Sequence, residues 1–262
     1  PGTITLAALI TDQDGNGRLD AYLPTDLGRP SVFWRNLGPG PDGPDFEDIA
    51  PAVGADLVMK AMGIDGADLD GDGGVDLCIT DVGPPRCLST DSSGIYVETG
   101  AALGLLPAQP VGGGGTVGWS FDFLDLDNDG FLDAAQASGP FPDEGEGTDQ
   151  ELDLPDLLWQ GGPGGFTDRT AAVGFGDVRN HVGLASGDID GDGWLDLVLA
   201  GPQNPPILWM NRCGAEAWME VELVGPPGNT QGIGARVEVE AGALSVFREL
   251  HAVRGLSQGP SR

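Results

Sequence analysis

The sequence predicts an all-β protein: a β-propeller built from repeated four-stranded units, followed by a small C-terminal β module. The first observation is a nine-residue acidic loop that occurs four times, starting at residues 12, 68, 125 and 188. A repeat of this length indicates one supersecondary unit used several times. The second is composition, since 45 glycines, 21 prolines and 40% hydrophobic residues are typical of short strands joined by tight turns. The third is an apolar run after every loop.

The four loops share one arrangement of oxygen donors. Side-chain oxygens occur at positions one, three, five and nine, glycine occupies position six, and an aliphatic residue occupies position eight. Together with the backbone carbonyl of position seven, these are the hard ligands that Ca²⁺ prefers. We therefore predict about four Ca²⁺ ions per chain. The predicted ligands are Asp12, Asp14, Asn16, Arg18 and Asp20; Asp68, Asp70, Asp72, Gly74 and Asp76; Asp125, Asp127, Asp129, Phe131 and Asp133; and Asp188, Asp190, Asp192, Trp194 and Asp196.

These loops are not EF-hands. An EF-hand requires a glutamate at position twelve and a helix after the loop. Position twelve is here Leu23, Ile79, Gln136 or Leu199, and a strand-like run follows each loop. The aspartate at position nine must therefore close the site. The aliphatic side chain at position eight is expected to enter a core.

The unit around each loop has a constant order. The loop leads into a short apolar strand, then a turn and a second apolar run that carries an aromatic residue, such as Trp34, Trp159 or Trp209. A third element follows in the first three units, and a glycine-marked strand such as 182–185 enters the next loop. About four strands per unit match the four-stranded blade of a propeller. The blades are assigned to residues 1–212.

A different β module is predicted over residues 213–262, because the period ends after Asn211. Residues 218–224 and 236–240 alternate between apolar and polar side chains, as strands with one buried face do. Residues 244–253 supply a third predicted strand. The sequence stops at residue 262, soon after the third predicted strand of this module, so the module is expected to be incomplete.

Charge and hydropathy limit the partners. The formal net charge of −29 repels nucleic acid and anionic membranes, so neither is expected as a partner. No stretch approaches the roughly 20 apolar residues that span a bilayer. The chain begins at Pro1, eleven residues before the first loop, and it is expected to lack its natural N-terminus.

Two further features leave alternatives open. Cys78 and Cys87 flank a turn-rich connection between two predicted strands. They either form a disulfide across that hairpin, which fits an oxidising compartment, or act as two small buried residues. The acidic insertion at residues 141–156 is interpreted as an extended solvated loop, or alternatively as a loop that contacts a partner or binds another cation.

The loops and their flanking aromatic strands resemble FG-GAP (VCBS) repeats, the calcium-loop blades of integrin α-subunit propellers. Residues 228–237, with Trp218 before them and residues 256–258 after them, are similar to the ASPIC/UnbV module that follows such repeats in cartilage acidic protein and its bacterial relatives. The resemblance implies an extracytoplasmic calcium-binding scaffold that is extracellular, on the cell surface or periplasmic. Integrin-type propellers have seven blades, so further blades are expected upstream or without loops.

No catalytic motif is apparent. His181 and His251 lie in no metal-binding or triad motif, and phosphate loops, dinucleotide fingerprints and nucleophile elbows are missing from the sequence. We therefore expect a non-enzymatic scaffold for adhesion, for binding a protein or glycan, or for self-assembly. The alternatives are a polysaccharide-active enzyme or its noncatalytic subunit, and a structural subunit of a filament or surface layer. Trp119 and Trp194 either stack on a partner or pack in a core.

Overall fold

The structure is a computed structural model, and it describes residues 4–90, 93–107, 117–140, 154–202, 204–212, 214, 216–242 and 244–251. Those residues are almost entirely strands and connections, which confirms the predicted all-β class. Helix is confined in them to two four-residue segments, α1 (Ala50–Val53) and α2 (Thr170–Val173). None of the described helices is long and apolar enough to cross a membrane.

The strands form successive antiparallel sheets in chain order. Sheet one contains β1 (Leu9–Thr11), β2 (Asp20–Leu23), β3 (Val32–Gly40) and β4 (Gly43–Asp48). Sheet two contains β5 (Ile64–Ala67), β6 (Asp76–Asp81), β7 (Gly83–Thr90) and β8 (Tyr96–Glu98). Sheet three contains β9 (Gly118–Leu124), β10 (Asp133–Ser138), β11 (Leu157–Gln160) and β12 (Thr167–Asp168). Sheet four contains β13 (Gly183–Gly187), β14 (Asp196–Ala200) and β15 (Ile207–Trp209), and a final hairpin contains β16 (Arg236–Ala241) and β17 (Leu244–Glu249).

The four sheets pack face to face, and one apolar core fills each of the three interfaces. Side chains alternate between the two faces of a strand, so neighbouring residues enter different cores. Leu77 of β6 packs toward sheet one, whereas Cys78 packs toward sheet three. The second strands of sheets two and three are therefore buried along nearly their whole length, as predicted. The equivalent strands of the two outer sheets, β2 and β14, are buried less completely.

Two of the Val-Gly pairs in the sequence mark helix ends. The helices α1 and α2 end at Gly54 and Gly174, which adopt φ values of 74° and 71°. This left-handed conformation suits glycine, since it has no Cβ atom, and it lets the chain leave the helix sharply.

The two cysteines of sheet two are paired. Cys78 lies directly opposite Cys87 in the register of β6 and β7, and the two form a disulfide. Both residues are completely buried in the core between sheets two and three. The structure thus contains the first of the two alternatives that the sequence left open.

One predicted strand of the C-terminal module is wrong. Residues 218–224 alternate correctly but form no strand, and no other described segment pairs with them. Trp218 is 51% exposed and Val224 is 88% exposed, so this segment has neither a hydrogen-bonded partner strand nor a buried apolar face. Alternation specifies the two faces of a strand but not a backbone partner, and a lone strand is not stable. The other two predicted strands are confirmed as β16 and β17 up to Glu249.

Two predictions lie wholly or largely outside the described residues. Of the acidic insertion, residues 154–156 are described and the rest are not. The segment 252–262, which carries the end of the predicted C-terminal module, is also outside the described residues.

Candidate metal centre

The four acidic loops occupy equivalent places in the fold. Each one connects the first strand of its sheet to the second, and the aspartate at position nine is the first residue of the second strand. The first loop also contacts the second, and the third contacts the fourth. The Gln13 side chain donates a hydrogen bond to the Val75 carbonyl (3.3 Å), and the Asn128 side chain donates to the Gly193 carbonyl (3.1 Å). The repeat in the sequence is therefore a repeat in space.

Three of the predicted ligands converge in every loop. The carboxylates at positions one, three and nine each offer an oxygen atom, and these atoms lie within 4.8 Å of one another. Such a group can hold a metal ion. The converging groups are Asp12, Asp14 and Asp20; Asp68, Asp70 and Asp76; Asp125, Asp127 and Asp133; and Asp188, Asp190 and Asp196.

The aspartate at position one organises the turn. In the fourth loop, Asp188 accepts backbone hydrogen bonds from Gly191 (2.7 Å) and Gly193 (2.9 Å). The chain must turn tightly for these donors to reach one carboxylate, so positions four and six adopt positive φ in all four loops. Position four of the third loop is Asn128 rather than glycine, and it adopts a φ of 53°. Asparagine tolerates this conformation better than most residues.

The predicted ligands at positions five and seven have another local role. The side-chain oxygen of position five accepts the backbone N–H of position seven, and the aspartates at position five (Asp72, Asp129 and Asp192) are outside the converging groups. The pairs are Asn16 with Arg18 at 2.9 Å, Asp72 with Gly74 at 2.7 Å, Asp129 with Phe131 at 2.8 Å and Asp192 with Trp194 at 3.0 Å. The Trp194 ring is only 9% exposed, so it packs within the protein. The Trp119 ring is partly buried and donates to the Gly139 carbonyl.

The aspartate at position nine does more than close the loop, and the spacing within the loop does not predict this second role. It is almost completely buried in each loop. In the third loop, Asp133 accepts the Leu126 N–H with one oxygen (2.8 Å) and the Gly161 N–H with the other (2.8 Å). In the fourth, Asp196 accepts from Ile189 (3.0 Å) and Asn211 (2.8 Å). This residue thus ties the loop to the third strand, and each oxygen keeps a second lone pair for a cation.

Burial and repulsion from neighbouring carboxylates disfavour the charged form of the ninth-position aspartate in the first three loops. Burial is the main cause that raises the pKa of Asp76 and of Asp133 to about 7, and the neighbouring loop aspartates raise it further. Burial also raises the pKa of Asp20. A bound dication would counter both effects. The donor set consists of oxygen atoms, without the nitrogen or sulfur that transition metals favour, so the residues fit a hard cation such as Ca²⁺.

The C-terminal segment lies over all four loops. The Arg236 guanidinium donates to the carbonyls of Asp12 and Gly73, in the first two loops. Arg248 donates to a carbonyl of the third loop at 3.2 Å, and the Trp218 ring lies against Gly193 of the fourth. The only local sign of this arrangement is the presence of two arginines in a chain with only 12 basic residues.

A further group of ligand-type side chains has protein partners instead. Asp156, Asp177 and His181 also offer atoms within 4.8 Å of one another. However, His181 Nδ1 lies 2.7 Å from Asp156, and Asp177 binds Arg179 at 2.9 Å. Asp156 and His181 are both completely buried, so this histidine has a structural partner within the fold.

No family model matches the chain, and no curated protein matches it. Among solved structures, it is similar to the biofilm matrix protein Bap1 of V. cholerae, with a TM-score of 0.40 and 17% sequence identity. The match covers 76% of this chain and 29% of the length of Bap1. A likeness this distant carries no argument about function.

Proposed function

We propose that this protein is a calcium-stabilised β-propeller scaffold that binds a protein or glycan partner outside the cytoplasm. One observation carries the proposal: four equivalent loops each bring three carboxylates within 4.8 Å at the same place in successive sheets. A dication in each loop would neutralise groups that otherwise repel one another. Calcium would thereby hold the connection between the first and second strands of every sheet.

The packing of the sheets supports the propeller and its resemblance to FG-GAP blades. The first strands β1, β5, β9 and β13 lie next to one another in chain order, as the inner strands of blades do. On this proposal the C-terminal hairpin belongs to an ASPIC/UnbV-like module. Neither assignment requires a catalytic residue.

The disulfide supports a location outside the cytoplasm. Cys78 and Cys87 are bonded in a fully buried position, and disulfides persist mainly in oxidising compartments. The acidic surface and steady extracellular calcium fit the same location. Adhesion or surface assembly is the class of role that these features favour.

Calcium titration and thermal unfolding test the proposal together. Isothermal titration of the metal-stripped chain is expected to show about four Ca²⁺ ions bound, and EDTA is expected to lower the Tm by many degrees. Four sites that are each saturated at 100 times their Kd would together stabilise the fold by roughly 11 kcal/mol. If the Tm does not change after complete chelation and the titration shows no bound calcium, the proposal is wrong.

A further inference from the structure

Within the described residues, sheet four has three strands, whereas each of the other three sheets has four. Sheets one, two and three each end in a fourth strand (β4, β8 and β12), whereas sheet four ends at β15. Among the described residues, no segment pairs with the outer edge of β15. An open edge exposes backbone donors and acceptors that can accept an added strand.

The fourth strand normally delivers an aromatic side chain to the interface with the preceding sheet. Tyr96 of β8 is 5% exposed and packs with Phe33 of sheet one, at a ring separation of 6.2 Å. Phe166, directly before β12, packs into the core between sheets two and three, and its N–H donates to the Leu103 carbonyl at 2.7 Å. The same position at sheet four is not filled by a described residue.

Three equivalent glycines mark the place of the fourth strand in successive units. A Cβ atom on Gly54 would lie less than 3.0 Å from the Tyr96 carbonyl oxygen, and one on Gly104 would lie less than 3.0 Å from that of Phe166. In both places the backbone of the fourth strand passes directly over the glycine. The equivalent Gly174 has no atom within 4 Å of its Cβ position.

A cavity of about 440 Å³ lies at this place, between sheets three and four. Its apolar walls repeat the surroundings of Phe166 position by position. Phe166 shares its core with Leu69, Leu103, Leu132 and Trp159, and the residues at the equivalent positions of the next unit are Leu126, Val173, Leu195 and Trp209. All four of the latter line the cavity. The cavity is therefore shaped for an aromatic side chain on an extended backbone.

The charged residues at the rim of the cavity favour a ligand that carries an acidic residue close to its aromatic residue. Arg169 and Arg212 line it, in a chain that has only 12 basic residues. Asp127 and Asp133 of the third loop also line it. A cation bound in the third loop would neutralise the charge of these two carboxylates. The cavity is thus expected to be most receptive to an acidic segment when the loop holds its cation.

The chain's own fourth strands show the matching pattern. In each of them an acidic residue follows two positions after the aromatic: Phe46 and Asp48, Tyr96 and Glu98, Phe166 and Asp168. These strands are already paired within their own sheets, so a second copy cannot donate one without losing its own pairing. Trp218 and Glu220 show the same spacing, but the Trp218 ring already lies against Gly193.

We propose that sheet four binds an extended segment of a partner polypeptide with an aromatic–x–acidic pattern, added as a fourth strand along β15. The aromatic ring enters the cavity, its N–H donates to the Val173 carbonyl, and the acidic side chain meets the basic rim. This is β-strand addition, in which backbone hydrogen bonds give affinity and a side-chain pocket gives specificity. The inference rests on the proposed binding role of the scaffold and names the class of partner.

The test uses the whole chain and a fluorescent peptide with the sequence of residues 163–170, measured by fluorescence anisotropy in calcium and in EDTA. A matched peptide carrying Phe166→Ala is the ligand control. Val173→Asp blocks the cavity, and Val178→Asp is the matched control, since these side chains are 55% and 48% exposed and only the first lines the cavity. We expect Val173→Asp and the alanine peptide each to weaken binding at least tenfold, and Val178→Asp to change it less than twofold.

Four outcomes would overturn the proposal. They are no binding of the peptide, equal affinity for the two peptides, equal affinity of the Val173→Asp and Val178→Asp variants, and binding that emerges only in a Trp218→Ala variant. The last would identify the chain's own segment as the occupant. The number of calcium ions bound, measured on the same sample, distinguishes failure of this inference from failure of the proposed function. Four bound ions without peptide binding would reject the strand-binding site and leave the proposal of a calcium-stabilised scaffold standing.

Discussion

The two roles of a loop aspartate can be separated by substitution in the fourth loop. Asp190 at position three is a predicted ligand whose protein contact is Arg212 at 3.5 Å, and that arginine side chain is 67% exposed. Asp196 at position nine is completely buried and accepts two backbone hydrogen bonds. Asp190→Asn and Asp196→Asn each remove one charge from the same candidate site. They differ in what they do to the protein without metal.

The expected magnitudes follow from these contacts. An exposed ion pair contributes under about 1 kcal/mol, so Asp190→Asn should change the free energy of unfolding in EDTA by no more than about 0.5 kcal/mol. Asp196→Asn keeps one acceptor oxygen and turns an amide group toward the second buried donor. This mismatch should lower the free energy of unfolding in EDTA by about 1–3 kcal/mol. In calcium at 100 times Kd, both variants should also lose the roughly 2.7 kcal/mol that one site contributes.

Urea unfolding of wild type and both variants, each in EDTA and in saturating calcium, measures all of these quantities. The gain from calcium should be smaller in both variants than in wild type, and only Asp196→Asn should be destabilised in EDTA. If calcium stabilises Asp190→Asn as much as it stabilises the wild type, position three is not a ligand. If Asp196→Asn is as stable as the wild type in EDTA, position nine has no structural role.

Three further predictions concern the scaffold. Reduction of the Cys78–Cys87 disulfide should lower the free energy of unfolding by roughly 2.5 kcal/mol, measured by urea unfolding with and without dithiothreitol, and a Cys78→Ala/Cys87→Ala double variant should show no response to the reductant. Gly161→Ala would place a methyl group under 3.0 Å from a backbone carbonyl of the third loop and should lower the Tm clearly, at a cost of about 1–3 kcal/mol, whereas Gly162→Ala has nothing within 4 Å and should leave the Tm nearly unchanged. Burial raises the pKa of Asp156 to about 6, so folding binds a proton and the free energy of unfolding should fall as pH rises from about 4 to about 6; Asp156→Asn should flatten that part of the profile, and an identical slope in both proteins would contradict the assignment.

Local patterns carried most of the prediction of the loops. The spacing of Asp188, Asp190 and Asp196 was enough to predict that their carboxylates would converge, because positive-φ glycines at fixed positions leave few ways to close a nine-residue turn. The strand after each loop followed from apolar runs, whose burial on both faces reflects a sheet with neighbours on either side. Pairing of the two cysteines was consistent with the sequence but became definite only when β6 and β7 were placed in register.

The features that the sequence did not predict depend on contacts between distant segments. The hydrogen bond from Asn211 to Asp196 spans 15 residues, and the contact of Arg236 with Asp12 spans 224. Residues 218–224 show the opposite case, because their alternation predicted a strand and the fold supplies no partner for it. Pairing depends on which edges are left open, and alternation does not encode this.

By itself, the sequence determined the all-β class, the position of the four loops and the oxygen donors that they present. Each of these depends on residues within about one turn of one another, where sterics and hydrogen bonding act locally. Only the tertiary structure decided that the ninth aspartate ties each loop to the third strand and that Trp218 and the C-terminal hairpin together contact all four loops. It alone shows that the cavity between sheets three and four matches the place that Phe166 fills one unit earlier. Those properties arise when separate units stack, and stacking brings together residues that are far apart in the chain.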